Sequence, residues 1–186
     1  MQLLPAADHR RMPWKNGKGV TIEIAIHPAG ASVDDFDWRL STATVDCDGP
    51  FSVFSGIDRS LSVLEGDGIV LTVEERPEAR LTVDSAPLTF PADAPTSARL
   101  IGGTITDLNA MSRRGRYQHR LSRHPVQVET PVPVQGETCL IFCGAGEVVI
   151  EGQTLRNLDC LRIDDAGDTL TATGDGTVYV VSFSPA

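Results

Sequence analysis

The chain is predicted to be all-β, folded as two jelly-roll barrels, and three observations carry that expectation. Short runs of alternating apolar and polar residues recur from one end to the other. Gly, Pro, Asn and Asp punctuate nearly every boundary between them, and no segment sustains a capped period of 3.6. A loose internal repeat supplies the barrel count: SVLEGDGIVLTV (Ser62 to Val73) matches IFCGAGEVVIEG (Ile141 to Gly152) as strand, G-x-G turn, strand.

In chain order, TIEIAIHP alternates strictly, with Ile22, Ile24 and Ile26 on one face and Thr21, Glu23 and Ala25 on the other. DWRLSTATV sets Trp38, Leu40 and Thr42 against Arg39, Ser41 and Ala43. After the first G-x-G hairpin, LTFPADAP reads as a strand ending in an acidic turn, and ITDLNAM as the strand that closes the first barrel. The second copy repeats that order with LRIDDAGD and TVYVVSF. These elements divide the chain into a first barrel over residues 1–118 and a second over 119–186, with Arg113 to Val134 as the linking stretch.

Composition bounds the function. At 186 residues the chain can bury a substantial core, and 41% hydrophobic against 22% charged residues sets disorder aside. No apolar run approaches the length of a membrane span, and MQLLPAADHRRMPW lacks the pattern of a secretory signal, so a cytoplasmic protein with no membrane partner is expected. A net charge of −9 would repel a phosphate backbone, which excludes nucleic acid as the expected partner. The charge is uneven: residues 1–121 carry 16 acids and 13 bases, residues 122–186 carry 9 and 3. A site for an anionic small molecule is therefore sought in the first two-thirds, although for any single arginine a solvated surface is the better account. Cys47, Cys139, Cys143 and Cys160 form no CxxC pair and read as small buried hydrophobes.

Three blocks, PWKNGKGVTIEIA, WRLSTATVDCDGPFSVFSGIDRSLSVLEG and ITDLNAMSRRG, resemble the HutD/Ves family of bacterial bicupins, collinearly from Pro13 to Gly115. Lys18 departs from the family's P-W-K-N-G-G-G and is expected to face solvent. The resemblance implies a bicupin, two cupin barrels in one chain, linked to histidine utilisation. It also implies a regulatory role exercised by binding a pathway metabolite such as N-formylglutamate or urocanate, with no settled enzymatic activity. Metal-dependent cupins hold their ion through an H-x-H pair, a glutamate and a later histidine. Here His9, His27, His119 and His124 form no such pair and read as surface or linker residues, so neither metal nor cofactor is expected.

A metal-free cavity in the first barrel remains, lined by alternate strand positions. Glu23, Arg39 and Ser41 form one candidate set and Asp107, Asn109 and Met111 another. A polar strand face is as often simply the solvent side. An inward Arg39 requires Glu23, Asp107 or a ligand carboxylate as partner. Arg59, after the turn GID, and Arg113 read as loop residues at the mouth, with Asp58 ordering the Arg59 loop and Phe54 beside Phe51 as a wall. Lys15 and Asn16, held by Pro13 and the neighbouring glycines, would offer a point charge and a two-way hydrogen-bonding group.

The leading expectation is a binding protein for a small anionic metabolite rather than an enzyme. One alternative is a metal-independent lyase or isomerase of a small acid, using Glu23 or Asp107 as acid or base and Arg39 or Lys15 to stabilise an oxyanion. Another is an interaction module docking through the acidic second barrel, and a homodimer through sheet edges stays open.

Overall fold

The computed structural model describes residues 1–14, 19–167 and 169–186. The described residues are all-β, with one 3-10 turn at Ala6–Asp8 and no helix long and apolar enough to cross a membrane. The strands of the first two-thirds are β1 (Gln2–Leu4), β2 (Arg10–Pro13), β3 (Gly19–His27), β4 (Trp38–Val45), β5 (Gly49–Pro50), β6 (Ile57–Glu65), β7 (Ile69–Val73), β8 (Ala79–Leu81), β9 (Leu88–Pro91), β10 (Thr96–Leu100) and β11 (Ile105–Arg113). They are followed by β12 (Tyr117–Val126), β13 (Thr130–Pro133), β14 (Gly136–Ile150), β15 (Gln153–Arg156), β16 (Cys160–Ala166) and β17 (Thr169–Pro185).

Two compact units result, one of Arg10–Arg116 and one joining Met1–His9 to Tyr117–Ala186. The first nine residues thus belong with the C-terminal unit, because β1 pairs antiparallel with β16, Leu3 opposite Leu161. The stretch from Arg113 to Val134 is not a plain linker either. It contains β12, which pairs with β17 from Tyr117 opposite Pro185 to Val126 opposite Gly176.

The N-terminal unit packs a six-stranded sheet, β2-β3-β4-β11-β6-β9, against a four-stranded one, β5-β10-β7-β8. Val45, Leu61, Val63 and Ile105 from the first sheet meet Ile69, Leu71, Val73, Leu81 and Ala98 from the second in one buried cluster. Each such side chain withdrawn from water contributes on the order of 1.5–3 kcal/mol, which is what drives the two sheets together. The C-terminal unit is built on one seven-stranded sheet with β1-β16-β14-β17-β12 as its path. Its core gathers Val126, Ile141, Val148, Ile150, Leu161, Val178 and Val180 among others.

The two G-x-G segments behave differently. Gly66 and Gly68 turn the chain from β6 in one sheet to β7 in the other, both at positive φ. Gly144 and Gly146 lie inside the continuous strand β14, where the register with β17 shifts between Cys143 and Ala145. The second copy is therefore a bulged strand rather than a turn, and at Gly146 the bulge needs a glycine because the partner backbone approaches closely. A Cβ on Gly146 would lie 2.1 Å from the Asp175 carbonyl oxygen.

Gly68 combines φ +104° with a would-be Cβ only 2.2 Å from the Leu81 carbonyl oxygen. Gly68→Ala is expected to lower unfolding stability by about 2 kcal/mol or more, measured by urea denaturation. A midpoint equal to the parent's would show that the crossing between sheets tolerates a different path.

Candidate functional site

Antiparallel register places side chains from four strands on one face of the six-stranded sheet. Ser41 of β4 lies opposite Glu23 of β3 and Asn109 of β11, and Asn109 in turn opposite Leu61 of β6. One step of two residues along, Arg39 lies opposite Met111, which lies opposite Arg59. In the other direction Ala43 faces Asp107, which faces Val63. The face is thus divided. Val45, Leu61, Val63 and Ile105 carry the apolar core, while Glu23, Arg39, Ser41, Arg59, Asp107 and Asn109 form a polar end.

A cavity of about 380 Å³ opens over that polar end, with Trp14, Thr21, Phe51 and Phe54 among the residues at its sides. A β-bulge in β3 between Glu23 and Ala25 sets Ile26 opposite Arg39. The strict alternation expected along TIEIAIHP is therefore broken, and Ile26 packs with Phe54 and Met111 in a small apolar cluster.

The buried charges are held by specific partners. Arg39, only 4% exposed, donates from Nε to Glu23 Oε2 at 2.8 Å. Arg59, 7% exposed, donates from Nε to Asn109 Oδ1 at 2.8 Å, and its Nη2 donates to the same oxygen. Asn109 Nδ2 then donates to Asp107 Oδ1 at 2.6 Å, completing a chain from guanidinium through amide to carboxylate. The Arg59 guanidinium also stands 4.4 Å from the Phe51 ring centre, a cation–π contact that stabilises the charge away from water.

Two buried polar atoms of residues that line this cavity stay without a hydrogen-bond partner among the described residues: Arg39 Nη2, a donor, and Asp107 Oδ2, an acceptor when ionised. Leaving such groups unmatched costs about 1–3 kcal/mol each, more where they are charged. Burial pushes the Asp107 carboxyl up to about 6, against the opposing pull of Arg59, Asn109 and the Ala43 backbone. Burial also lowers the Arg59 guanidinium to about 10; Asp107 counteracts the drop and nearby Arg39 adds to it.

Several sequence-based expectations meet here and others do not. Glu23, Arg39, Ser41, Asp107, Asn109 and Met111 come together, five of them lining the cavity and Glu23 holding Arg39 from beneath. Phe54 and Phe51 also line it. Arg59 is a buried residue of β6, not a loop residue. Asp58 does not order it: by strand parity Asp58 points the other way and accepts from Arg114 Nη1 at 2.8 Å. Arg113 is likewise not at the mouth, since it donates to the Phe36 and Asp34 carbonyls and lies over the Phe36 ring. Lys15 and Asn16, like Lys18, lie outside the described residues.

Trp14 and Thr21 were not anticipated, and the Trp14 Nε1 donation to Thr21 Oγ1 at 2.8 Å joins them across the PWKNGKG segment. A tryptophan seven residues ahead of the alternating run carried no periodic signal. The four histidines are half-buried: His27 stacks on Trp38 with ring centres 5.5 Å apart, and His124 bonds to Ser122. Among the described residues no cluster of three or more His, Cys, Asp or Glu could hold a metal ion.

Fold and cavity together define a cupin-like all-β protein with a charge-lined hollow in its N-terminal unit. The chain belongs to the HutD family, whose model matches residues 6–180. It is 37% identical over 175 residues to an uncharacterised 21.2 kDa protein in the hutC 3' region of Pseudomonas putida, covering 91% of this chain and 90% of that one. It is 38% identical over 145 residues to Protein Ves of Citrobacter koseri, covering 76% and 74%. The structure of HutD from Pseudomonas fluorescens SBW25 (formate condition) superposes with a TM-score of 0.84 at 35% identity, over 100% of this chain and 98% of that one.

The raised Asp107 value has a consequence for stability. Between about pH 4 and pH 6 the folded chain holds a proton on Asp107 that an unfolded chain has released. This contribution is complete below about pH 4 and is lost as pH rises through 6. Asp107→Asn is expected to flatten that part of the stability–pH curve, measured by thermal melts across the range. Parallel curves for the two proteins would refute the assignment.

Proposed function

We propose that this chain is a metal-independent bicupin of two barrels that binds a small anionic metabolite of histidine breakdown and acts as a sensor or regulator in the cytoplasm. One observation carries the reading: Arg39 and Asp107 line the same cavity, and each keeps a buried polar atom, Nη2 and Oδ2, without a partner. A donor and an acceptor waiting together select a ligand that brings an acceptor and a donor of its own. A bare anion satisfies only Arg39. Urocanate supplies a carboxylate and an imidazole N–H; N-formylglutamate supplies carboxylates and an amide N–H. The rings of Phe51 and Phe54 offer an apolar wall for the body of either molecule. Membership of the HutD family, and a relative from a hutC region, support the link to this pathway.

A second reading draws on the Asp107 carboxyl, whose value of about 6 would suit proton transfer near neutral pH. In that case the cavity would convert a small acid rather than only hold it.

Calorimetry with urocanate and N-formylglutamate is the test. Saturable one-site binding of at least one of them is expected, weakened by about tenfold or more in Arg39→Lys and in Asp107→Asn, because each removes one of the two unmatched groups. Loss of the urocanate chromophore on incubation with the parent, absent in Asp107→Asn, would favour conversion over binding. Neither heat nor turnover with both compounds would overturn the proposal.

A further inference from the structure

The two units repeat one strand arrangement. In the first, β4 pairs β11, β11 pairs β6 and β6 pairs β9; in the second, β12 pairs β17, β17 pairs β14 and β14 pairs β16. The register repeats as well. Ser41 opposite Asn109 opposite Leu61 corresponds to Ser122 opposite Val180 opposite Ile141. Two residues earlier, Arg39, Met111 and Arg59 correspond to Arg120, Ser182 and Cys139. Two residues later, Ala43, Asp107 and Val63 correspond to His124, Val178 and Cys143.

The sequence follows the geometry. Arg39-Leu40-Ser41 recurs as Arg120-Leu121-Ser122, and each run leads four residues on to a core valine, Val45 or Val126. Period two places Arg120, Ser122 and His124 on the same side of β12 as Val126, the side that forms the C-terminal core. A second cavity of about 270 Å³ opens there, lined by Arg120, Ser122, His124, Gln135 and Ser182 over Val180.

The substitutions between the two sites are informative. Where the first has Asp107, Asn109 and Arg59, the second has Val178, Val180 and Cys139, so its floor is apolar and holds neither the buried carboxylate nor the second guanidinium. Arg120 makes no ion pair among the described residues. Where the first site has Ala43, the second has His124, whose Nε2 lies 2.8 Å from Ser122 Oγ. The retained arginine thus faces the cavity beside a hydroxyl and an imidazole. That set matches one carboxylate: two oxygens on the guanidinium fork and a further hydrogen bond from the serine–histidine pair. The unit carries ten acids against four arginines, a field that disfavours multiply charged anions such as phosphate esters.

We propose that the C-terminal cavity is a second binding site, for a small monocarboxylate, in which Arg120, Ser122 and His124 occupy the register positions of Arg39, Ser41 and Ala43. It stands independently of the function assigned to the first cavity, since it uses different residues and a different unit.

The test is a titration of the ¹⁵N-labelled parent chain with sodium propionate at fixed ionic strength, read by residue-resolved NMR. Saturable shifts are expected in the amides of residues 120–124 and in the His124 ring nitrogens. Arg120→Gln should weaken that response about tenfold or more while leaving the amides around Arg39 and Asp107 responding as in the parent. Arg120 is exposed, so this variant keeps the fold, which its unperturbed spectrum would verify. A response confined to the Arg39–Asp107 region, a linear drift without saturation, or shifts at 120–124 that survive Arg120→Gln would each overturn the second site and leave the first untouched.

Discussion

Two guanidinium groups lie buried on a single sheet face, and the N-terminal unit can form only if both are matched. Glu23 answers Arg39 from the neighbouring strand, and the Asn109–Asp107 chain answers Arg59 from the strand between. Breaking a buried pair of this kind leaves an uncompensated charge and costs about 3–5 kcal/mol. Because every partner comes from a different strand, the network also resists register errors: a slip of one residue would carry each side chain to the opposite face. The same interactions that hold the strands in register therefore fix the chemistry of the cavity. The matching stops short of completion at Arg39 Nη2 and Asp107 Oδ2, which keep no partner among the described residues.

The cavity exists because the covering is partial. The four-stranded sheet reaches the apolar half of the face, where Val45, Leu61, Val63 and Ile105 exclude water by packing. At the other end the Arg59 guanidinium stands over the rings of Phe51 and Phe90. In the C-terminal unit an equivalent framework carries valines at the positions of Asp107 and Asn109. Its apolar core accordingly extends further along the face, and the polar end keeps the arginine, the serine and the added histidine of β12 with Gln135 and Ser182. One scaffold thus supports two hollows of different polarity through a handful of inward positions.

Much of this was legible from the chain alone. Alternation in WRLSTATV and ITDLNAM assigned Arg39 with Ser41, and Asp107 with Asn109 and Met111, to common faces. Turn chemistry misled elsewhere: Gly56 and Asp58 flank the start of β6 and made Arg59 resemble a loop residue, although β6 begins at Ile57. A bulge in β3 escaped the period-two reading because one irregular residue leaves no mark on composition. Gly144 and Gly146 resembled a turn because a bulge and a turn call on glycine for the same freedom.

The amino-acid sequence by itself determined the all-β class, the family and the pairing of side chains onto shared faces, since these follow from local period, turn residues and ordered motifs. Only the tertiary structure decided which face of β4 and β11 holds the cavity. Trp38 and Leu40 on one side are as withdrawn from water as Arg39 and Ser41 on the other, so polarity could not tell inside from outside. Inward direction is set by contacts between strands far apart in the chain, with Arg59 meeting Asn109 fifty residues away, and no local pattern encodes which distant partner will be there.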